Sequence, residues 1–428
     1  MEGAQGELDG KGMRVLKALQ ARLEAVPELR FVLAVLALAL ALRLSFLAFF
    51  VWRDLAQVYG QDLYYNLALT WLGWEPAWGV DVTHPPLYAA FIAAVLGLCG
   101  TRNPLPVLIL QAALSAASAL LVYLLGKRLA TAGAARLGAL WAACDPGLMF
   151  FAPHLQTETL FVFMELVFFL WLSHCLQDPR VAGELPGRSL LGFFGVGLWG
   201  GLCSLCRSVF AAYPAFLALA LLGRLGRRRM LWPFALLALG WLLPVAAWSA
   251  RNWLKYRQLI PISAQMGWTL YEGFTLDREE VRRRPVQMAE EARGLGITDP
   301  IEAGRYFWKK TLRLAREQPF EAARIVAGKA LLYWRPWPYD PYTPAQRAGL
   351  ALYFVVLFAL AGLGAWRSRV APWLPIYALF AYLTAMHAVF FTSLRYRMPL
   401  EPFLCLLAAI GTDFLMRGGE SAGNSFKI

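Results

Sequence analysis

The stretch RFVLAVLALALALRLSFLAFFVW, residues 30–52, decides the fold. It is longer than the apolar core of a cleavable signal and long enough to cross about 30 Å of hydrocarbon as a helix, so it reads as a retained anchor. Comparable apolar runs recur at 105–126, 134–151, 158–177, 189–206, 208–223, 231–250, 347–366, 371–392 and 399–416. Only helices satisfy their own backbone polar groups over such lengths in lipid. The expectation is an all-α integral membrane protein, a bundle of about ten transmembrane helices.

Composition agrees with that expectation. The 428 residues are 59% hydrophobic and 16% charged, with a mean hydropathy of +0.49. Soluble domains are about 45–50% apolar and about 25% charged. The net charge of +13 resides in loops between apolar runs, with no nucleic-acid motif around it. That placement fits lipid headgroups or a phosphorylated lipid rather than nucleic acid. Six cysteines mostly embedded in apolar stretches do not make a disulfide framework. Cys203 and Cys206 form a CxxC, but inside a span and on one helical face, which favours packing over redox or metal chemistry.

Loop charge orients the bundle. The run 85–99 is about 15 residues and opens on Pro85-Pro86, so length alone does not make it a span. If it does not cross, then Lys127, Arg128 and Arg136, the cluster Arg224, Arg227, Arg228 and Arg229, and Arg367 with Arg369 all face the cytoplasm. The run then reads as an interfacial or re-entrant helix. The resulting organisation is a cytoplasmic N-terminal segment 1–29 and a transmembrane catalytic module 30–250, with a first external loop 53–104. A large external loop 251–346, C-terminal transmembrane helices 347–416 and a cytoplasmic tail 417–428 follow. Within the large loop, 301–329 carries apolar residues at helical spacing among Arg, Lys and Glu. It reads equally as amphipathic helices lying on the membrane or as a solvated charged linker.

Charged residues at the external ends of spans have no role in insertion, so they are the functional candidates. Arg207 interrupts the apolar run CSLCRSVF, where an arginine costs about 2.5–3.5 kcal/mol on insertion scales and calls for a polar partner. Arg395 and Arg397 in LRYRMPLEP, and Arg251-Asn252 at the end of the run 231–250, lie on the same side. A guanidinium fork suits an anionic group such as a phosphate, although lipid headgroups would satisfy these arginines too. Asp62 in YGQDLYYNLA and Glu158 in PHLQTETLF supply carboxylates, either as acid/base groups or as ordinary residues of a helix start. The histidines His84, His154, His174 and His387 are scattered and make no metal cluster.

In this order, the residues resemble the GT-C class of integral membrane glycosyltransferases, in the branch of the protein O-mannosyltransferases, the aminoarabinose transferases of lipid A and bacterial family 39-like enzymes. The landmarks are Asp62 with Tyr64 and Tyr65, His84 in HPPLY, Glu158 in TETLF, Arg207, RNWLKYRQLIPIS, and RYRMPLEP at the head of the last span. The resemblance implies a bundle with external juxtamembrane helices, in the plasma (inner) membrane with a cytoplasmic N-terminus. It also implies a polyprenyl-phosphate sugar donor entering from the lipid and a glycan, lipid or protein acceptor. Asp62 takes the place of the class's essential aspartate, with Asp54 the alternative if the register slips. His84 stands where relatives more often carry Lys or Arg against the donor phosphate. Tyr64, Tyr65 and Asn252 fall at substrate-binding positions. Some members of the class use a divalent cation and others do not, and no cofactor is certain here.

The chemistry expected of such residues is transfer of a hexosyl or pentosyl group to a hydroxyl. A carboxylate, Asp62, accepts the hydroxyl proton. Glu158 holds the acceptor or orients the surroundings of Asp62. The departing lipid phosphate is held by His84, Arg207, Arg251, Arg395 and Arg397. Direct displacement inverts the anomeric carbon. Rival readings are a lipid-linked glycan ligase or polymerase, which leaves the early Asp loop and HPPLY unexplained, and a polytopic transporter or lipid flippase, which would place its charges near the bilayer midplane.

Overall fold

Helix α1 (Glu28–Tyr59) continues beyond the end of the first apolar run, and α2 (Leu63–Trp71), α3 (Pro86–Cys99), α4 (Leu105–Leu129), α5 (Ala132–Cys144), α6 (Pro146–Phe151) and α7 (Thr157–Leu176) follow it. Next come α8 (Gly187–Cys206), a 3-10 turn at Ser208–Ala212, α9 (Tyr213–Leu225) and α10 (Arg227–Tyr256). A connecting region holds α11 (Met266–Glu272), α12 (Arg278–Gly294), α13 (Pro300–Glu317) and α14 (Pro319–Tyr333). The last part is α15 (Pro344–Arg367), α16 (Val370–Val389), a 3-10 segment at Leu394–Leu400, and α17 (Glu401–Met416). This computed structural model describes residues 18, 20–59, 63–76, 81–177, 187–225, 227–338, 342–368 and 370–417, and among them there is no strand.

Among the described residues six helices are long and apolar enough to cross a membrane, and Pro86–Cys99, Leu191–Cys206 and Ser208–Leu221 are shorter apolar helices. The protein is thus a multi-pass membrane bundle. The single run expected over 134–151 is broken between Cys144 and Pro146. Asp145 is extended there (φ −63°, ψ 122°) and its carboxylate accepts from the Leu148 amide, ending α5 and starting α6. A residue before proline is pushed out of the helical region, and an aspartate is a good N-cap, so two local rules act together. Helix α3 has 14 residues and so is about 21 Å long, short of about 30 Å of hydrocarbon. Its buried residues Tyr88, Ile92 and Leu96 pack into the main core.

The helix that carries Glu158 and the segment that carries Arg395 and Arg397 are the innermost. The segment Leu394–Met416 has 78% of its apolar window buried and Thr157–Leu176 has 61%, against 22% for Leu231–Tyr256 and for Pro344–Arg367. Helices α8 and α10 cross at backbone contact: a Cβ on Gly197 would sit 2.0 Å from the Leu237 carbonyl oxygen, and one on Gly240 would sit 2.2 Å from that of Phe194. Small residues let membrane helices approach this closely, where dispersion rather than the hydrophobic effect drives packing. This crossing fixes where Arg207, just after α8, and Arg251, in the last turns of α10, come to lie.

The stretch 301–329 is helical, as α13 and α14, and the linker alternative falls away. Asp299 caps α13 by accepting from the Ile301 amide. The buried residues Ile301, Ala303, Phe307 and Thr311 line one face of α13. Phe307, Ala303, Met288 and Ala292 form a small second core with Trp268, Tyr271, Ile297 and Tyr306. Helices α11, α12 and α13 therefore share a small core of their own.

Candidate active site

Glu158 lies in the first turn of α7, where the helix dipole favours a carboxylate, and it is only 1% exposed. A charge buried there needs compensation. Arg395 provides it, its Nε donating to Glu158 Oε1. Arg207 Nη1 lies 3.4 Å from the same oxygen. The other oxygen, Oε2, is buried without a hydrogen-bond partner among the described residues. Arg207 occupies an extended residue (φ −145°, ψ 107°) between α8 and the 3-10 turn, and its guanidinium lies over the rings of Phe161, at 5.8 Å, and Tyr396, at 5.2 Å. The apolar run at CSLCRSVF is thus interrupted where the helix itself ends. A small cavity bounded by Ser115, Ser118, Phe151, Thr159 and Met398 adjoins Glu158.

Tyr64 and His84, from the stretch between α1 and α3, lie in electrostatic range of this pair. The Tyr64 ring packs edge-on against His84 at 5.0 Å and against Tyr88 at 5.2 Å. His84 Nε2 lies 2.7 Å from the Gln265 amide nitrogen, and Nδ1 lies 3.0 Å from Thr83 Oγ1. The partners assign the tautomer: Nε2 accepts from the Gln265 amide and Nδ1–H donates to the hydroxyl. Burial, reinforced by the nearby Arg395 charge, pushes the His84 pKa down to about 4. His84 is therefore neutral at pH 7. The pH-dependent cation near 6.5 that an isolated histidine would give does not arise, because both perturbations disfavour the imidazolium.

Other candidates point elsewhere. Tyr65 donates to the Arg102 carbonyl, at the far end of the same loop. Arg251 pairs with Asp81, which also accepts from Tyr256 and, at 3.0 Å, from Lys255. Burial would raise the Asp81 pKa, but the bonds from Arg251, Tyr256 and Lys255 outweigh it and bring it to about 2. Asn252 is fully buried, donating to the Ile260 carbonyl at 2.9 Å and accepting from Arg251 at 3.0 Å, a structural tie. Arg397 is fully buried against Glu401 (2.8 Å) and the Arg335 carbonyl (2.8 Å), over Phe354 and Phe358. It braces the last helix and is not brought to Glu158. Asp62 lies outside the described residues, as does the side chain of Asp54.

Sequence reasoning passed over several groups. Asp81 stands three residues before His84, and its complement was legible in the aromatic and basic run WLKY that follows Arg251. Arg43, in the middle of the first apolar run, was visible as an intramembrane charge. It is fully buried and closes α5 by donating to the Ala142 and Ala143 carbonyls at 3.1 and 2.6 Å. Gln265 and Tyr396 carry no sequence signal, since each matters only through what packs on it.

Among the described residues no group of three or more His, Cys, Asp or Glu could hold a metal ion.

Residues 83–248 match the family model for dolichyl-phosphate-mannose-protein mannosyltransferases, a region shorter than half the chain that includes His84, Glu158 and Arg207. No curated protein matches the sequence. The fold matches the oligosaccharyltransferase AglB of Archaeoglobus fulgidus bound to an inhibitory peptide and dolichol-phosphate, with TM-score 0.50, 15% identity, and 93% of this chain and 52% of that one covered. The apo form of the A. fulgidus enzyme gives TM-score 0.54, 14% identity, and 90% and 51% coverage. A form in complex with Zn and sulfate gives TM-score 0.53, 15% identity, and 90% and 49% coverage. This chain spans about half the length of those proteins. The fold of this chain is that of the GT-C class of membrane glycosyltransferases.

Proposed function

We propose that the chain is a glycosyltransferase that moves a sugar from a polyprenyl-phosphate donor to an acceptor hydroxyl at the extracytoplasmic face, inverting the anomeric carbon. The observation that carries this reading is the buried Glu158 carboxylate with Arg395 and Arg207 on one of its oxygens, beside Tyr64 and His84. Two guanidiniums around one carboxylate form a site ready for an anion with several oxygens. A donor phosphate takes over part of what Glu158 now supplies.

In this mechanism Arg395 and Arg207 stabilise the charge that grows on the phosphate as the sugar–phosphate bond breaks. The leaving group departs as an anion and needs no proton. Asp62 accepts the proton of the acceptor hydroxyl as it attacks, with Asp54 the alternative, while Glu158 orients the arginines and the acceptor. His84 is a neutral hydrogen-bonding and packing group beside Tyr64, not a phosphate cation. Some relatives of this fold carry a divalent ion, but no step here passes through one.

Residues 30–250 form the catalytic module in this scheme, and the helical layer within 251–346 bears on acceptor choice. The donor sugar is a hexose or pentose, the acceptor a glycan, lipid or protein. The protein resides in the plasma (inner) membrane with its N-terminus in the cytoplasm.

The test supplies membranes containing the protein with a radiolabelled polyprenyl-phosphate sugar and compares the wild type with Asp62→Asn and Glu158→Gln. Both variants lose transfer, and the product is inverted. Full transfer by Asp62→Asn sinks the base assignment, and a retained anomeric configuration rejects direct displacement.

A further inference from the structure

A buried guanidinium can be fixed by hydrogen-bond acceptors, which use up its N–H donors, or by the faces of aromatic rings, which attract its charge and leave those donors unspent. Arg207 is fixed in the second way. Its guanidinium carbon lies over the Tyr396 ring, 5.2 Å from the centre, and over the Phe161 ring at 5.8 Å, both within reach of a cation–π attraction. Both terminal nitrogens are buried, and among the described residues neither has a hydrogen-bond partner. The 3.4 Å approach of Nη1 to Glu158 is an ion pair without hydrogen-bond geometry.

The Tyr396 ring is itself held in place. It stacks on His387 with the centres 4.8 Å apart and the planes within 5°, and His387 stacks in turn on Tyr333 at 5.4 Å and 14°. His387 Nδ1–H donates to the Phe391 carbonyl at 3.0 Å, and the Tyr333 hydroxyl donates to the Tyr396 carbonyl at 3.1 Å. His387 and Tyr333 are buried on α16 and α14, so the ring and the backbone of Tyr396 are pinned by two different helices. The side chains on either side are committed elsewhere, Arg395 to Glu158 and Arg397 to Glu401. The Tyr396 hydroxyl makes no hydrogen bond among the described residues, which leaves the ring face as the part that meets Arg207.

We propose that Tyr396, braced by His387, is a positioning residue for Arg207: its ring face holds the guanidinium while leaving the terminal N–H donors to the phosphate of the lipid-linked donor. Without an electron-rich face at this position Arg207 closes onto Glu158, and an incoming phosphate must first break that contact. The consequence for the donor rests on the donor-phosphate reading above, whereas the hold of the ring on the guanidinium does not.

The experiment replaces Tyr396 by phenylalanine and by phenylalanines carrying one, two or three ring fluorines, in the wild-type and Arg207→Gln backgrounds, in detergent. Shape is nearly kept along the series while each fluorine drains negative potential from the ring face. With a polyprenyl-phosphate sugar as donor, Tyr396→Phe keeps kcat/KM within about twofold of wild type, and kcat/KM then falls stepwise with fluorination, by about tenfold at three fluorines. A purely packing role gives a flat series, and a flat series overturns the proposal. Thermal unfolding of the same proteins needs no substrate: the midpoint falls with fluorination in the wild-type background and stays level with Arg207→Gln. Equal slopes in the two backgrounds also overturn the proposal, because they report the His387 stack alone. If the wild type transfers no sugar, the donor reading fails and the two unfolding series decide the contact by themselves. Should the trifluorinated protein not fold, the slope through the remaining members decides in the same way.

Discussion

Arg395 donates to Glu158 across 237 residues of sequence, joining the segment before the last helix to the first turn of α7. Replacing Arg395 by Ala leaves a buried carboxylate with only the more distant Arg207. Transfer falls at least about a hundredfold, as when one oriented donor is lost from a charge-stabilising site. Arg395→Lys keeps the charge but not the planar fork, and falls between the two. Steady-state transfer assays with varied donor check both. Equal activity of Arg395→Ala and wild type would remove Arg395 from the site.

The Asp81 cluster with Arg251, Lys255 and Tyr256 ties the loop before α3 to the end of α10. Its folded pKa, about 2, lies below the ordinary aspartate value of 3.8. The stability it adds is therefore present above pH 4 and is lost as the pH falls from 4 through 2. Since Arg251 and Lys255 are partly exposed, the link contributes no more than about 2 kcal/mol. Asp81→Asn lowers the unfolding midpoint at pH 7 and flattens its dependence between pH 4 and 2. Unfolding scans across that range measure both effects.

His84 is neutral at pH 7 because its folded pKa is about 4, below the ordinary histidine value of 6.5. The unfolded chain then takes up a proton before the folded one does, so stability falls as the pH drops from 6.5 towards 4. Replacement by Gln removes that dependence. Donor KM shows no His84-linked change between pH 7 and 8.5, whereas a cationic phosphate ligand with an ordinary histidine pKa would already have weakened binding there. Kinetics at several pH values, paired with unfolding scans, separate the two outcomes.

The crossing of α8 and α10 tolerates no side chain at Gly197, where a Cβ meets the Leu237 carbonyl at 2.0 Å. Gly197→Ala forces the helices apart and costs about 2 kcal/mol or more. Gly349→Ala is the control: nothing lies within 4 Å of its Cβ position in α15, so the change is within about 0.5 kcal/mol or mildly stabilising. Thermal unfolding in detergent gives both values.

Much of the fold could be read directly because apolar length and helix-start chemistry are local. The run 30–52, the Pro85-Pro86 opening of α3 and the apolar spacing in 301–329 each report on a few adjacent turns. The reading failed at 134–151, where hydropathy averaged over an Asp-Pro step that ends one helix and starts another. It also stopped short at Arg43, whose partners belong to α4 and α5 as well as to its own helix.

Composition and periodicity determined that this is a helical membrane protein with charges stationed at span ends, since insertion into lipid depends on side-chain transfer free energy summed along one segment. Only the tertiary structure decided which charge meets which. Arg395 and Arg397 are two residues apart and look alike in sequence, yet the first meets Glu158 and the second is sealed against Glu401. Residues two apart in a tight helical turn point in different directions, so Arg395 reaches a carboxylate 237 residues away in sequence while Arg397 turns onto Glu401 in the next turn and the Arg335 carbonyl.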